Sequence, residues 1–87
     1  MRKIYQSDIE KYDRTHNTSL LRELEMTLEL GTNNNVPLQL QFFKDLQVYG
    51  LNEAITYVLG SEQIGQVERG TTDRLRKVAQ KIKEKLS

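Results

Sequence analysis

Apolar residues recur every three or four positions along most of the chain, and this spacing predicts amphipathic helices. Glycines, asparagines and a single proline interrupt the pattern and divide it into short segments. The chain is therefore expected to form a single all-α domain over residues 1–87, a compact bundle of five or six short helices. The predicted helices cover about residues 8–15, 19–30, 37–48, 53–59 and 62–69, and the last one lies within residues 71–87.

Residues that favour helix ends support the first two of these boundaries. Ser7 is followed three positions later by Glu10, which is the spacing of a capping box. Asn17 or Thr18 is expected to cap the second helix, and Gly31 is expected to end it.

One segment fits two kinds of structure. Apolar residues and glutamines alternate over residues 36–42, which is the period of a strand. Leu38, Phe42 and Leu46 continue at helical spacing, and Pro37 suits the first position of a helix. A helix is the preferred prediction here, and a strand is the alternative.

Residues 71–87 form the clearest amphipathic segment, because lysines and arginines fill the positions outside its apolar stripe. Six basic and two acidic side chains give this segment a charge of +4. Residues 1–70 carry seven basic and ten acidic side chains, a charge of −3, so the total of +1 hides an asymmetry. The apolar stripe is predicted to dimerise the protein. It consists of Leu75, Val78, Ile82 and Leu86.

The composition excludes several classes of protein. The absence of cysteine excludes disulfides, thiolate nucleophiles and cysteine-based zinc sites. No apolar run approaches the roughly 18 residues of a membrane span, and the first residues lack the apolar block of a signal peptide. We therefore expect a cytoplasmic protein that does not associate with a membrane. Eighty-seven residues with only four tyrosines and two phenylalanines build a small core, which favours a homodimer.

No residue pattern indicates an enzyme. His16 is the only histidine, and Asp13 is the only nearby carboxylate at a helical offset from it, which favours a solvated surface histidine. Glu23, Glu25 and Glu29 cluster on one helix, where a solvated acidic face is a commoner role than a cation site. The chain also lacks a glycine-rich phosphate loop, a zinc-protease motif and a calcium-binding loop. We expect no catalytic activity, no cofactor and no bound metal.

The segment from Gly50 to Gly70 reads GLNEAITYVLGSEQIGQVERG. Its VLG at residues 58–60 and its IGQVERG at residues 64–70 resemble the lambda-repressor-like helix-turn-helix of phage and bacterial regulators. In that family a short helix ends in Leu-Leu-Gly, and a recognition helix ends in a pattern like Ile-x-x-Ile-Glu-Arg-Gly. The segment between the two patterns is about two residues shorter here than in the family. The resemblance covers about a quarter of the chain.

This resemblance implies a small DNA-binding transcriptional regulator with a helix-turn-helix near residues 52–69. The helix from Ser61 to Arg69 would lie in the major groove, where Gln63 and Gln66 would point outward to the base edges. The basic last helix would add phosphate contacts. The expected DNA-binding residues are Ser61, Gln63, Gln66, Arg69, Thr71, Arg74 and Lys77.

The alternative is a small protein–protein interaction module, such as a regulator, an inhibitor or an immunity-type factor. Acidic side chains in the N-terminal half would then form a negative surface for a basic protein partner. These side chains are Asp8, Glu10, Asp13, Glu23, Glu25 and Glu29. Salt-sensitive affinity for duplex DNA would separate the two hypotheses, since only the regulator predicts it.

Overall fold

The computed structural model describes residues 3–86, so Ser87 of the last predicted helix lies outside the described residues. Within that range the chain forms helices and no strand, which confirms the all-α prediction. The helices are α1 (Gln6–His16), α2 (Leu20–Thr32), α3 (Val36–Val48), α4 (Leu51–Gln63) and α5 (Thr71–Leu86). Neighbours pack in the ring α2–α3–α4–α5, which closes where α5 contacts α2, and α1 packs across α2, α3 and α5.

Leucine and isoleucine side chains from all five helices fill the space inside this ring. The buried residues of each helix recur at helical spacing, so the apolar stripe of each helix faces the core. Each large side chain that is fully removed from water contributes about 1.5–3 kcal/mol. The largest completely buried apolar residues are Phe42, Ile9, Leu20, Leu24, Leu28, Leu46, Leu51, Leu75, Ile82 and Val58.

The ends of α1 and α2 differ from the predicted caps. Tyr5 rather than Ser7 is the N-cap of α1, and its backbone N–H donates to the Asp8 carboxylate at 3.0 Å. The N-terminus of α2 is capped by Asp13 of α1, whose carboxylate accepts from the backbone N–H groups of Leu20 and Leu21 at 3.1 Å each. This bond between helices replaces the local cap that the sequence predicted, and it fixes α1 against the start of α2.

Residues 36–42, for which both helix and strand were considered, are helical. The positions of their side chains on the helix explain the alternating pattern. Leu38 and Phe42 are buried in the core, whereas Val36 and Leu40 are 56% and 66% exposed. The alternation therefore interleaves two apolar faces of α3, one on the core and one on solvent.

The predicted helix over residues 62–69 is not formed. Helix α4 continues through Gly60 and ends at Gln63. Ser61, expected to begin the next helix, lies inside α4, where its hydroxyl donates to the Tyr57 carbonyl at 3.1 Å. The chain then turns at Gly65, which has a left-handed φ of 82°, a conformation that glycine adopts without steric cost. One long helix and the loop 64–70 thus replace the expected pair of crossed helices.

Helices α2 and α5 approach most closely where Gly31 meets Thr71. A Cβ atom at Gly31 would lie 2.3 Å from both Thr71 Cγ2 and Thr71 Oγ1. The Gly31 carbonyl also accepts a hydrogen bond from the Glu68 backbone N–H at 2.9 Å. Residue 31 therefore needs to lack a side chain so that α5 and the loop before it can dock against the end of α2.

Gly31→Ala is expected to lower the free energy of unfolding by about 1–3 kcal/mol, because the added methyl group forces Thr71 away from α2. The better helix propensity of alanine opposes this loss but does not offset it. Urea denaturation followed by circular dichroism measures the change. The double variant with Thr71→Ala removes the two nearest of the three Thr71 atoms that the methyl group meets, so it should recover part of the loss. A Gly31→Ala protein as stable as the wild type would contradict the close approach.

Candidate functional site

Helix α5 buries its apolar stripe inside the single chain. Leu75 and Ile82 are completely buried, and Val78 and Leu86 are partly buried against the same core. These four residues are the predicted dimerisation surface. Their packing partners lie within the chain, so the stripe serves the core of the single chain, and dimerisation through it stays a prediction.

The residues predicted to bind DNA do not lie together on one helix. Ser61 and Thr71 are buried, so their hydroxyls do not face solvent where a phosphate would lie. Gln63 ends α4, and Gln66 and Arg69 lie exposed on the loop 64–70. The other two predicted contacts, Arg74 and Lys77, are exposed on α5.

The loop 64–70 is anchored by one apolar side chain. Val67 is buried in the core, whereas Ile64 is 71% exposed. In the recognition helix that the resemblance implies, residues 64 and 67 would share a face. Without the helix, only one of the two side chains reaches the core.

The start of α5 is held by a carboxylate from α4. Glu62 Oε1 accepts hydrogen bonds from the backbone N–H of Thr72 at 2.9 Å and from its hydroxyl at 3.0 Å. The bond from the Thr72 backbone N–H is the main reason that the pKa of Glu62 is held below its ordinary value, and partial desolvation opposes it. Thr72 therefore serves the junction between α4 and α5, whereas Thr71 lies against Gly31 of α2.

The acidic residues predicted to attract a basic protein form ion pairs or hydrogen bonds with other residues of the same chain. Glu23 forms an ion pair with Lys81 at 2.8 Å, which joins α2 to α5. Arg22 lies between Glu25 and Glu29, with its Nη1 3.8 Å from the Glu29 carboxylate. The remaining three accept hydrogen bonds in or near α1. They are Asp8, Glu10 and Asp13. The acidic side chains are thus engaged in contacts within one helix and between helices, rather than gathered as a group without partners.

His16 is exposed at the end of α1, and its contacts are with its own helix. Its ring is exposed and stacks on Tyr12, with centroids 3.9 Å apart and planes 7° from parallel. Its Nδ1 lies 2.8 Å from the Thr15 hydroxyl. Among residues 3–86, no three histidine, aspartate or glutamate side chains converge on a point where a metal ion would fit.

The same residues include no helix with the length and apolar character needed to cross a membrane.

The surface feature that sequence reasoning missed is the solvent face of α3. Val36 and Leu40 lie on this face with Phe43, at positions i, i+4 and i+7. The first two are more than half exposed, and Phe43 is partly buried with its ring edge-on to Phe42 at 5.3 Å. We call Val36, Leu40 and Phe43 the outer stripe of α3. The alternation over residues 36–42 was its signal in the sequence.

Comparison of this chain with protein-family models, curated proteins and solved structures finds no match. The resemblance of residues 50–70 to a lambda-repressor-like helix-turn-helix is therefore neither supported nor contradicted by a relative. The arrangement of two crossed helices that the motif requires is absent at these residues. The function has to be inferred from the surfaces themselves.

Two glycines test this local structure, since an added Cβ atom at either Gly60 or Gly65 would meet no atom within 4 Å. Gly60→Ala is expected to raise the free energy of unfolding by about 0.5–1 kcal/mol, because Gly60 lies inside α4. Gly65→Ala should lower it by about 1 kcal/mol, because alanine is strained at a φ of 82°. Thermal and urea unfolding measure both changes. A helix-turn-helix with its turn at residue 60 and residue 65 in a helix would reverse the two signs.

The pH dependence of stability tests the contact between Glu62 and Thr72. Because the folded pKa of Glu62 is lowered from 4.5, its carboxylate stabilises the fold above that pH. This contribution disappears as the pH falls through the folded pKa. Glu62→Gln is therefore expected to be less stable than the wild type at pH 7, with the difference shrinking on acidification below 4.5. Urea titrations across this range measure it. Glu68→Gln, at an exposed carboxylate nearby, is the control, and an equal pH dependence in both variants would contradict the assignment.

Proposed function

We propose that this protein is a small protein–protein interaction module and that it binds a partner through the outer stripe of α3. The observation that carries the proposal is the exposure of Val36 and Leu40 on the face of α3 that points away from the core. Apolar side chains that share an exposed face mark interaction surfaces more often than scattered single ones do. The opposite face of the same helix packs on the core, so these exposed residues are not required to complete it.

The geometry of the outer stripe suits an amphipathic helix of the partner. Three residues at i, i+4 and i+7 form a straight ridge, and a second helix packs along such a ridge with its own apolar side chains in the grooves beside it. Lys44 and Gln47 are exposed on the same side of α3 and supply a polar rim. An apolar centre with a polar rim is the usual composition of a specific interface.

A second candidate function is contact with the phosphates of duplex DNA. The observation that favours it is the exposed basic flank of α5, on which positive side chains recur every three or four residues. They are Arg74, Lys77, Lys81 and Lys85. Lys81 already pairs with Glu23, which reduces the charge available to a phosphate. Base reading by a helix over residues 62–69 is not part of this candidate, because that helix is not formed.

Leu40→Lys is expected to weaken partner binding by at least about 2 kcal/mol, roughly 30-fold, because a charge replaces the centre of the apolar surface. The matched control is Leu30→Lys, which changes an equally exposed leucine on α2 outside the outer stripe. Affinity capture from lysate of the source cells, followed by titration of each captured protein, measures the effect. The proposal is supported if one captured protein binds to the wild type and to Leu30→Lys but not to Leu40→Lys.

Two outcomes would contradict this proposal. The first is a homodimer in sedimentation that Leu40→Lys dissociates, which would assign the outer stripe to self-association. The second is a duplex of 30 base pairs that binds in fluorescence anisotropy at about 50 mM salt and dissociates at about 200 mM, with further weakening in Arg74→Gln/Lys77→Gln. That result would favour the DNA candidate, and the absence of duplex binding at low salt would remove it.

A further inference from the structure

A groove of about 720 Å³ lies where residues 3 and 4, α1, the start of α4 and the end of α5 come together. Ile4, Leu51 and Leu86 give the groove an apolar floor, to which Leu51 contributes little exposed surface, and the partly buried Tyr12 also lines it. The volume is within the usual range of about 300–1,000 Å³ for small-molecule sites. No residue of the outer stripe lines this groove, so the two surfaces are separate.

Lysines dominate the charge around the groove. Lys3, Lys11 and Lys83 line it together with a single carboxylate, that of Asp8, which accepts a hydrogen bond from the Tyr5 backbone N–H.

These three lysines differ in how far their charge is compensated. Lys3 forms an ion pair with Glu53 at 2.9 Å. Among residues 3–86, no carboxylate forms an ion pair with Lys11 or Lys83. The groove therefore combines an apolar floor with two positive charges that lack a negative partner in the described part of the chain.

We propose that this groove binds a single-chain amphipathic anion, such as an alkyl carboxylate, with its tail on the apolar floor and its head group at Lys11 and Lys83. An apolar floor alone would accept any oily molecule, and lysines alone would attract any anion. Together they select a molecule that has both parts, because each part is satisfied only by its own side of the groove. The limited volume favours a free molecule with one chain over a bilayer surface.

The tail is tested with a series of straight-chain carboxylates, titrated by calorimetry at pH 7.5 below their micelle concentrations. Hexanoate, octanoate and decanoate should bind at one site, and the affinity should rise about four-fold for each added CH₂ group. Acetate, which has the head group without the tail, and decanol, which has the tail without the charge, are the controls. Both should bind at least ten-fold more weakly than decanoate.

The head group is tested with lysine variants. Lys11→Gln and Lys83→Gln should each weaken decanoate binding roughly two- to five-fold, and the double variant roughly ten-fold. Lys3→Gln should have a smaller effect, since Glu53 already compensates the Lys3 charge. Arg14→Gln changes an exposed basic residue of α1 that does not line the groove and should leave the affinity unchanged. All four positions are exposed, so circular dichroism should show the same fold in every variant.

Three results would overturn the proposal. The first is the absence of saturable decanoate binding at millimolar concentrations. The second is decanoate binding with the same affinity in the Lys11→Gln/Lys83→Gln variant as in the wild type. The third is sedimentation with anionic phospholipid vesicles without any binding of free decanoate, which would assign the lysines to a membrane surface.

Discussion

The close approach of α2 and α5 at Gly31 is the constraint on which the rest of the structure depends. Because residue 31 has no side chain, Thr71 lies against α2, and the Glu68 backbone N–H reaches the Gly31 carbonyl. This docking places Val67 in the core and fixes the direction in which α5 leaves the loop 64–70. The apolar stripe of α5 is buried as a consequence, and its basic residues remain at the surface. One backbone contact thus decides which faces of the C-terminal part are available to a partner.

The apolar spacing predicted α2, α3 and α5 well, because the residues that these helices bury are the ones that recur every three or four positions. It failed between residues 60 and 70, where local signals did not decide the structure. Gly60 and Gly65 are the same residue type, yet one is helical and the other has a left-handed φ. Continuing a helix through a glycine costs only about 1 kcal/mol. Two hydrogen bonds from Thr72 to Glu62 join the last turn of α4 to the start of α5. This contact joins two helices, and the sequence pattern does not contain it.

The roles of the charged residues were even less accessible to sequence reasoning. Glu23 was grouped with its neighbours as part of an acidic surface, but its partner Lys81 is far away in the chain and close in the fold. Asp13 was considered as a possible partner of His16 and as part of the acidic surface, yet it caps the next helix. Short-range spacing describes contacts within one helix, whereas these contacts join two.

Residues of the outer stripe of α3 can be replaced with little effect on stability, whereas core residues of this small chain cannot. A domain of this size has only a few kcal/mol of net stability, so nearly every core residue is needed for folding. Leu38 and Phe42 are such residues, and their replacement would unfold the protein and remove any function with it. Val36 and Leu40 belong to the same helix but bury little surface in the single chain. Their replacement by polar residues should therefore leave folding nearly unchanged, and a loss of binding in such variants would report on the surface itself.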